Sequence, residues 1–172
     1  MVIGWERVKI MMNINANGNE YKVEFSFGAA ECKEIVQKMF SVVNGSYLLA
    51  QTDKNVAQAS FDGLANMTAD VPEICILAIY AGCIDNNPVT MDEAKKLTRA
   101  YITEKRKTDK SYGYRTLFEE IKKAMEDDGF FELSGITAML EEMANNVEEA
   151  AQEQKKPTVV PQDHKKKQTS TK

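Results

Sequence analysis

Few side chains in this 172-residue sequence are equipped for chemistry, and their spacing suits it poorly. The single histidine, His164, lies in a polar stretch near the C-terminus, which removes most Ser-His and Cys-His nucleophile pairs. Cys32, Cys75 and Cys83 fall within apolar runs of helical spacing, with no CxxC pair among them. An odd set of that kind reads as reduced core thiols, and no histidine accompanies them to complete a zinc site. Asp127-Asp128 and Glu141-Glu142 supply paired carboxylates, as a general acid and base would require. Adjacent residues on a helix do not face each other, however, and acidic runs mark a solvated face. The segment DNNPVTMDE, residues 85–93, resembles a calcium loop only superficially, lacking the alternating ligands and central glycine. HExxH, GxSxG and a Gly-rich phosphate loop do not occur. The residues therefore predict no enzyme, no cofactor and no metal.

The elements that would have to position such groups are written more clearly. In MMNINANGNEYKVEFSFGAA, residues 11–30, Asn17-Gly18 signals a two-residue type I′ turn, whose central positions both need φ > 0. Pivoting there sets Ala16 against Asn19, Ile14 against Tyr21, Met12 against Val23, Ile10 against Phe25 and Val8 against Phe27 on a largely apolar face. Asn15–Glu20, Asn13–Lys22 and Lys9–Ser26 fall on the other face, and a slip of one residue would destroy the agreement. An isolated hairpin is marginal in water, so its apolar face must lie on the helices that follow.

The apolar period then lengthens to about 3.6. Cys32, Ile35, Val36, Met39, Phe40 and Val43 form one stripe, stopped by Asn44-Gly45. Between residues 46 and 70 the pattern is weaker, with Val56, Ala59, Leu64 and Met67 lining a helix after Asp53 and Gly63 counting against it. Asp70-Val71-Pro72-Glu73 reads as an N-cap with proline in the first turn. The ICILAIYAGCI that follows is apolar nearly all round, as in the most buried helix of a bundle, with a buried strand as the alternative. Asn86-Asn87-Pro88 is a loop, and Thr90 with Glu93 forms a capping box opening a helix with Ala94, Leu97 and Tyr101 inward. After the break at KRKTDKSYG, Tyr114, Leu117, Phe118, Ile121, Ala124 and Met125 resume the pattern until Asp127-Asp128-Gly129. The final helix sets Ile136, Met139, Leu140, Met143, Val147, Ala150 and Ala151 on one face and Glu141, Glu142, Glu148 and Glu149 on another. The expected fold is α+β, an N-terminal antiparallel hairpin packed on a bundle of about five to six α-helices. One domain spans residues 1–151, with the hairpin at 7–27 and the helical body at 29–151, and a disordered basic tail occupies 152–172.

Charge bounds the partners. Residues 152–172 carry six lysines against Glu153 and Asp163, a net of +4, which leaves −8 on residues 1–151 of a chain whose total is −4. An acidic body disfavours nucleic acid on the folded face, and the tail offers neither aromatic residues for base stacking nor amphipathic spacing for a membrane. No apolar run approaches the roughly 20 residues of a membrane span, and MVIGWERVKIMM lacks the layout of a secretory signal, so a cytoplasmic protein is expected. The methionine-bearing stripe Ile136, Met139, Leu140, Met143 and Val147 either packs on the bundle or docks a partner helix. An exposed hairpin edge offers a route to a homo-oligomer.

A hairpin carrying Ile14, Gly18, Tyr21, Val23, Phe25, Phe27 and Gly28, then an amphipathic helix, an all-helical body and a charged ending, resembles the tail assembly chaperones of long-tailed, siphovirus-type bacteriophages, particularly those of Gram-positive hosts. The resemblance covers the chain up to about residue 150 and rests mainly on the hairpin. It implies a non-enzymatic protein that binds the aggregation-prone tape measure protein and keeps it soluble until tail tube protein polymerises around it. It further implies action in the host bacterial cytoplasm and absence from the mature virion. A structural tail-completion or head-tail connector component is the alternative. Family members often end at a programmed frameshift, for which the codons of Gln154-Lys155-Lys156 or Lys165-Lys166-Lys167 are candidate slip sites. Their hairpin also begins close to the initiator methionine, which favours a start at Met11 or Met12 here, although Val8 and Ile10 continue the alternation.

Overall fold

A tight turn at the tip of an alternating apolar pattern leaves the first two strands one register, and the chain adopts it. The computed structural model describes residues 12–16, 18–49 and 56–154. Strands β1 (Met12–Ala16) and β2 (Asn19–Val23) are antiparallel, with Met12 opposite Val23, Asn13 opposite Lys22, Ile14 opposite Tyr21, Asn15 opposite Glu20 and Ala16 opposite Asn19. Gly18 holds φ +79°, the left-handed region a type I′ turn requires. Met12, Ile14, Ala16 and Val23 are buried, whereas Asn13, Asn15 and Glu20 face water. The pairs expected for Val8, Lys9 and Ile10 lie outside the described residues, as does any start upstream of Met12.

One expectation fails inside the described segment. β2 stops at Val23, and Phe27 is the first residue of helix α1 (Phe27–Glu31), 69% exposed, rather than an inward strand residue. The cause is a carboxylate at the other end of a long loop closure. Asp85 accepts the Ser26 hydroxyl at 2.5 Å and the Gly28 N–H at 2.9 Å, satisfying a free amide of the first helical turn and bending the chain out of strand geometry.

Among the described residues, eight helices follow the hairpin. The long ones are α2 (Lys33–Val43), α4 (Val56–Gly82), α5 (Met91–Lys105), α6 (Tyr114–Asp128) and α8 (Ile136–Gln154); α1, α3 (Ser46–Leu49) and α7 (Phe130–Leu133) are short turns between them. The architecture is α+β, a hairpin on a helical bundle. Ile35 and Met39 are the buried positions of the α2 stripe, Asn44 caps it, and both reciprocal bonds of the Thr90–Glu93 box are present at α5. Gly129 closes α6 in the left-handed conformation.

Helix α4 departs most from expectation. Residues 56–82 form one continuous 27-residue helix with Pro72 inside it, so Asp70-Val71-Pro72-Glu73 is not an N-terminus. Proline inside a helix costs about 3 kcal/mol. That cost is offset because Val71, Ile74, Cys75, Leu77, Ala78, Ile79 and Ala81 are all buried, and fully burying each larger apolar side chain contributes about 1.5–3 kcal/mol. The Asp70 carboxylate serves a tertiary contact, accepting the Tyr47 hydroxyl at 2.8 Å and Lys38 Nζ at 3.3 Å. In the preceding half, Ala59, Gly63, Met67 and Val71 turn inward while Leu64 is exposed, contrary to its expected inward place. The helical, not strand, reading of ICILAIYAGCI holds. α4 has the length and hydropathy of a membrane-spanning helix; here its second half is the core on which α2, α5, α6 and the hairpin pack. The helix α8 also overruns the boundary expected at residue 151, ending at Gln154, and residues 155–172 lie outside the description.

Candidate functional site

The chemistry-bearing side chains are placed as fasteners. Asp127 pairs with Lys123 at 2.8 Å on the α6 surface, whereas Asp128 accepts the Phe25 N–H at 2.8 Å, so the two neighbouring carboxylates point at different partners. Asp85 caps α1, and Asn87 Oδ1 accepts the outward N–H of Lys22 at 3.0 Å, closing part of the β2 edge. Gly82 C=O takes the Glu24 N–H at 2.8 Å. A Cβ on Gly82 would lie 2.4 Å from Val23 Cγ1, so only glycine lets the strand approach the helix this closely. The amides of Lys22, Glu24, Phe25 and Gly28 are thus held by the last residue of α4, the loop after it and the end of α6.

Among the described thiols and phenols, burial raises the pKa of several. Burial pushes the Cys75 thiol up to about 12 and the Cys83 thiol up to about 11, and Cys32 is half-buried; all three are free. The Tyr101 and Tyr112 hydroxyls both donate to Glu120 Oε2, at 3.1 and 2.8 Å, with Lys105 Nζ 5.1 Å from the Tyr101 ring centre. Burial, reinforced by the Glu120 charge, raises the Tyr112 phenol far above its ordinary value, and burial chiefly raises Tyr101. Among the described residues, no group of three or more His, Cys, Asp or Glu side chains is placed to hold a metal ion.

Part of what the fold leaves open is apolar. Among the described side chains of α8, those at its start are clamped. Ile136 is 3% exposed and Leu140 packs partly on the core, while residues 141–147 all face water. The five stripe residues expected to meet a partner are therefore divided. Ile136 and Leu140 anchor the helix, and Met139 (51%), Met143 (45%) and Val147 (70%) are exposed. Spaced four apart, these three form one ridge about 12 Å long. Two grooves flank its base. One, of about 210 Å³, runs between α2 and α8 and is lined by Val36, Phe40, Ile136 and Met139. The other, of about 350 Å³, is floored by Val43, Phe131, Ile136 and Leu140. A larger cleft of about 650 Å³ lies across α2, between Gln37, Lys38, Tyr47, Glu73 and Leu77. Phe61 and Leu64 add exposed apolar area on α4, at 70% and 51%.

Sequence reasoning missed Asp85, Asn87, Asp128 and Gly82 as anchors of the hairpin. Their partners lie 57, 65 and 103 residues away for the three side chains, so no local pattern marks them. Val36 and Phe40 belong to the core-facing stripe of α2, and the base of α8 makes them a groove wall as well. Comparison with protein-family models, with curated proteins and with solved structures yields no match to this chain.

Proposed function

We propose that this protein is a phage tail assembly chaperone that binds the tape measure protein and keeps it soluble in the host cytoplasm during tail morphogenesis. The observation that carries the reading is the Met139–Met143–Val147 ridge, presented on a helix that leaves the bundle after Leu140. A long helical client exposes repeated apolar stripes, and an exposed helix ridge beside shallow apolar grooves is a surface suited to cover one. Methionine, unbranched and polarizable, adapts to varied client sequences without demanding one shape. The hairpin's resemblance to that family and the exposed ridge on α8 both support the reading.

The test is co-expression with a tape measure protein, the long helical client this reading requires. Soluble complex with the native chain, and loss of that solubility with Met139→Ser, Met143→Ser and Val147→Ser combined, are the expected results. A client that stays insoluble in both cases overturns the reading. Recovery of this chain from purified virions would instead identify a tail-completion or connector component.

A further inference from the structure

Charge of one sign is concentrated beside the open ridge of α8. Residues 130–154 hold Glu132, Glu141, Glu142, Glu148, Glu149 and Glu153 and no lysine, arginine or histidine, a net of −6. The whole chain is −4, so the rest of it sums to +2. Glu132, Glu141 and Glu142 are all exposed. At the rim of the groove floored by Val43, Phe131, Ile136 and Leu140, Lys122 lies 3.8 Å from Glu126 and answers that carboxylate. Among the described residues, no cation is paired with Glu132, Glu141 or Glu142. Glu142 directly precedes Met143 and sits about 100° around the helix from it, so the ridge has an acidic flank.

We propose that the client segment this surface holds is a basic amphipathic helix, with an apolar stripe against Met139, Met143 and Val147 and lysine or arginine flanks against Glu132, Glu141 and Glu142. The inference rests on the function proposed above, which makes the ridge a client surface, and adds the charge that the client must carry. Packed helices lie about 8–10 Å apart, which brings the flanking positions of the client over the glutamates. Long basic side chains suit those positions, because their aliphatic stems cover apolar surface while the charged heads reach the carboxylates. The same glutamates reject other occupants. A second copy docking through α8 would set −6 against −6, and nucleic acid or an anionic lipid surface would meet charge of its own sign. An acidic client helix is excluded for the same reason, so the flank selects among helices that the methionines alone would accept indiscriminately.

A pair of synthetic peptides of about 20 residues, long enough to form helix, tests it. Both carry a leucine stripe; one has lysine on its flanks, and its twin has glutamate at the same positions. Titrated against the full chain by fluorescence anisotropy, the lysine peptide should bind at least about tenfold tighter than its twin. Raising salt from about 0.1 M to about 1 M, which shortens the Debye length from about 10 Å to about 3 Å, should narrow that gap. Met139→Ser, Met143→Ser and Val147→Ser combined should weaken the lysine peptide by about tenfold. Glu132→Lys, Glu141→Lys and Glu142→Lys combined should turn the preference toward the glutamate twin. Equal affinity for the twins overturns the proposal. So does equal binding of a lysine peptide whose leucine stripe has been scrambled, which would mean diffuse attraction to an acidic chain. Should the variants lose helix by circular dichroism, the three peptides on the native chain decide without them. A lysine preference without solubilised tape measure protein leaves this charge rule standing and overturns the function above; solubilisation without a lysine preference does the reverse.

Discussion

The carboxylate of Asp128, the last residue of α6, accepts the main-chain N–H of Phe25 at 2.8 Å, joining points 103 residues apart. The Phe25 ring also meets Phe130 edge-on, with centroids 6.2 Å apart, so one short stretch at the end of α6 holds both the backbone and the side chain of the segment leaving β2. A hydrogen bond to a charged group contributes about 1.5–3 kcal/mol, and Asp128→Ala should destabilise the fold by that amount in urea titration. Asp128→Asn retains an acceptor and should lose less. Equal losses from both variants would mean that the charge, not the acceptor, holds Phe25.

Gly82 is a steric test of the same junction. The Cβ of Gly82→Ala would meet Val23 Cγ1 at 2.4 Å, with Phe25 Cε1 at 3.3 Å. Overpacking of this kind costs about 1–3 kcal/mol. Val23→Ala alone should also destabilise, by leaving a gap, but in the Gly82→Ala background it should cost much less or restore stability. A double-mutant cycle that comes out additive would refute the contact.

The two ends of the α8 stripe should behave differently. Ile136→Ala, at a position 3% exposed, should cost about 2–5 kcal/mol by the usual cavity arithmetic. Met143→Ser and Val147→Ser, at positions 45% and 70% exposed, should stay within about 0.5 kcal/mol. Thermal melts of the three variants check this, and a large loss at Met143 would place it in a packed interface.

Acid should loosen the α1 cap. The Ser26 hydroxyl, and then the Gly28 N–H, hold the Asp85 carboxyl below its ordinary 3.8. Because the folded value lies below the unfolded one, the contribution is complete above the unfolded value and is lost as pH falls from about 3.8 through the folded value. Asp70, lowered chiefly by the Tyr47 hydroxyl, acts in the same direction. Melting temperature should therefore fall on acidification below pH 4, and more shallowly for Asp85→Asn than for the native chain. An unchanged slope would remove Asp85 from the acid response.

The local signals were strong where a chemical rule acts over a few residues. An Asn-Gly turn within an alternating pattern permits one pairing, and β1 and β2 take it from Met12–Val23 to Ala16–Asn19. The Thr90–Glu93 box, the stop after α2 and the buried faces of α5 and α6 follow for the same reason. Local rules misled at Asp70-Val71-Pro72-Glu73, where proline and a capping residue spelled a helix start. The buried face from Val71 to Ala81 outweighed them, and no window of a few residues contains that energy.

The candidate surface shows the same division. Periodicity identified Ile136, Met139, Leu140, Met143 and Val147 as one apolar stripe of a helix, because helical spacing is a property of the chain alone. Whether a stripe is core or surface depends on what stands opposite it. Only the tertiary structure decided that α2, α6 and α7 cover Ile136 and part of Leu140 and leave Met139, Met143 and Val147 to water. The hairpin divides in the same way. Its register was fixed by pairing rules over a dozen residues, whereas its seat on Gly82, Asp85, Asn87 and Asp128 arose from contacts between groups far apart in sequence, which exist only once the helices are packed.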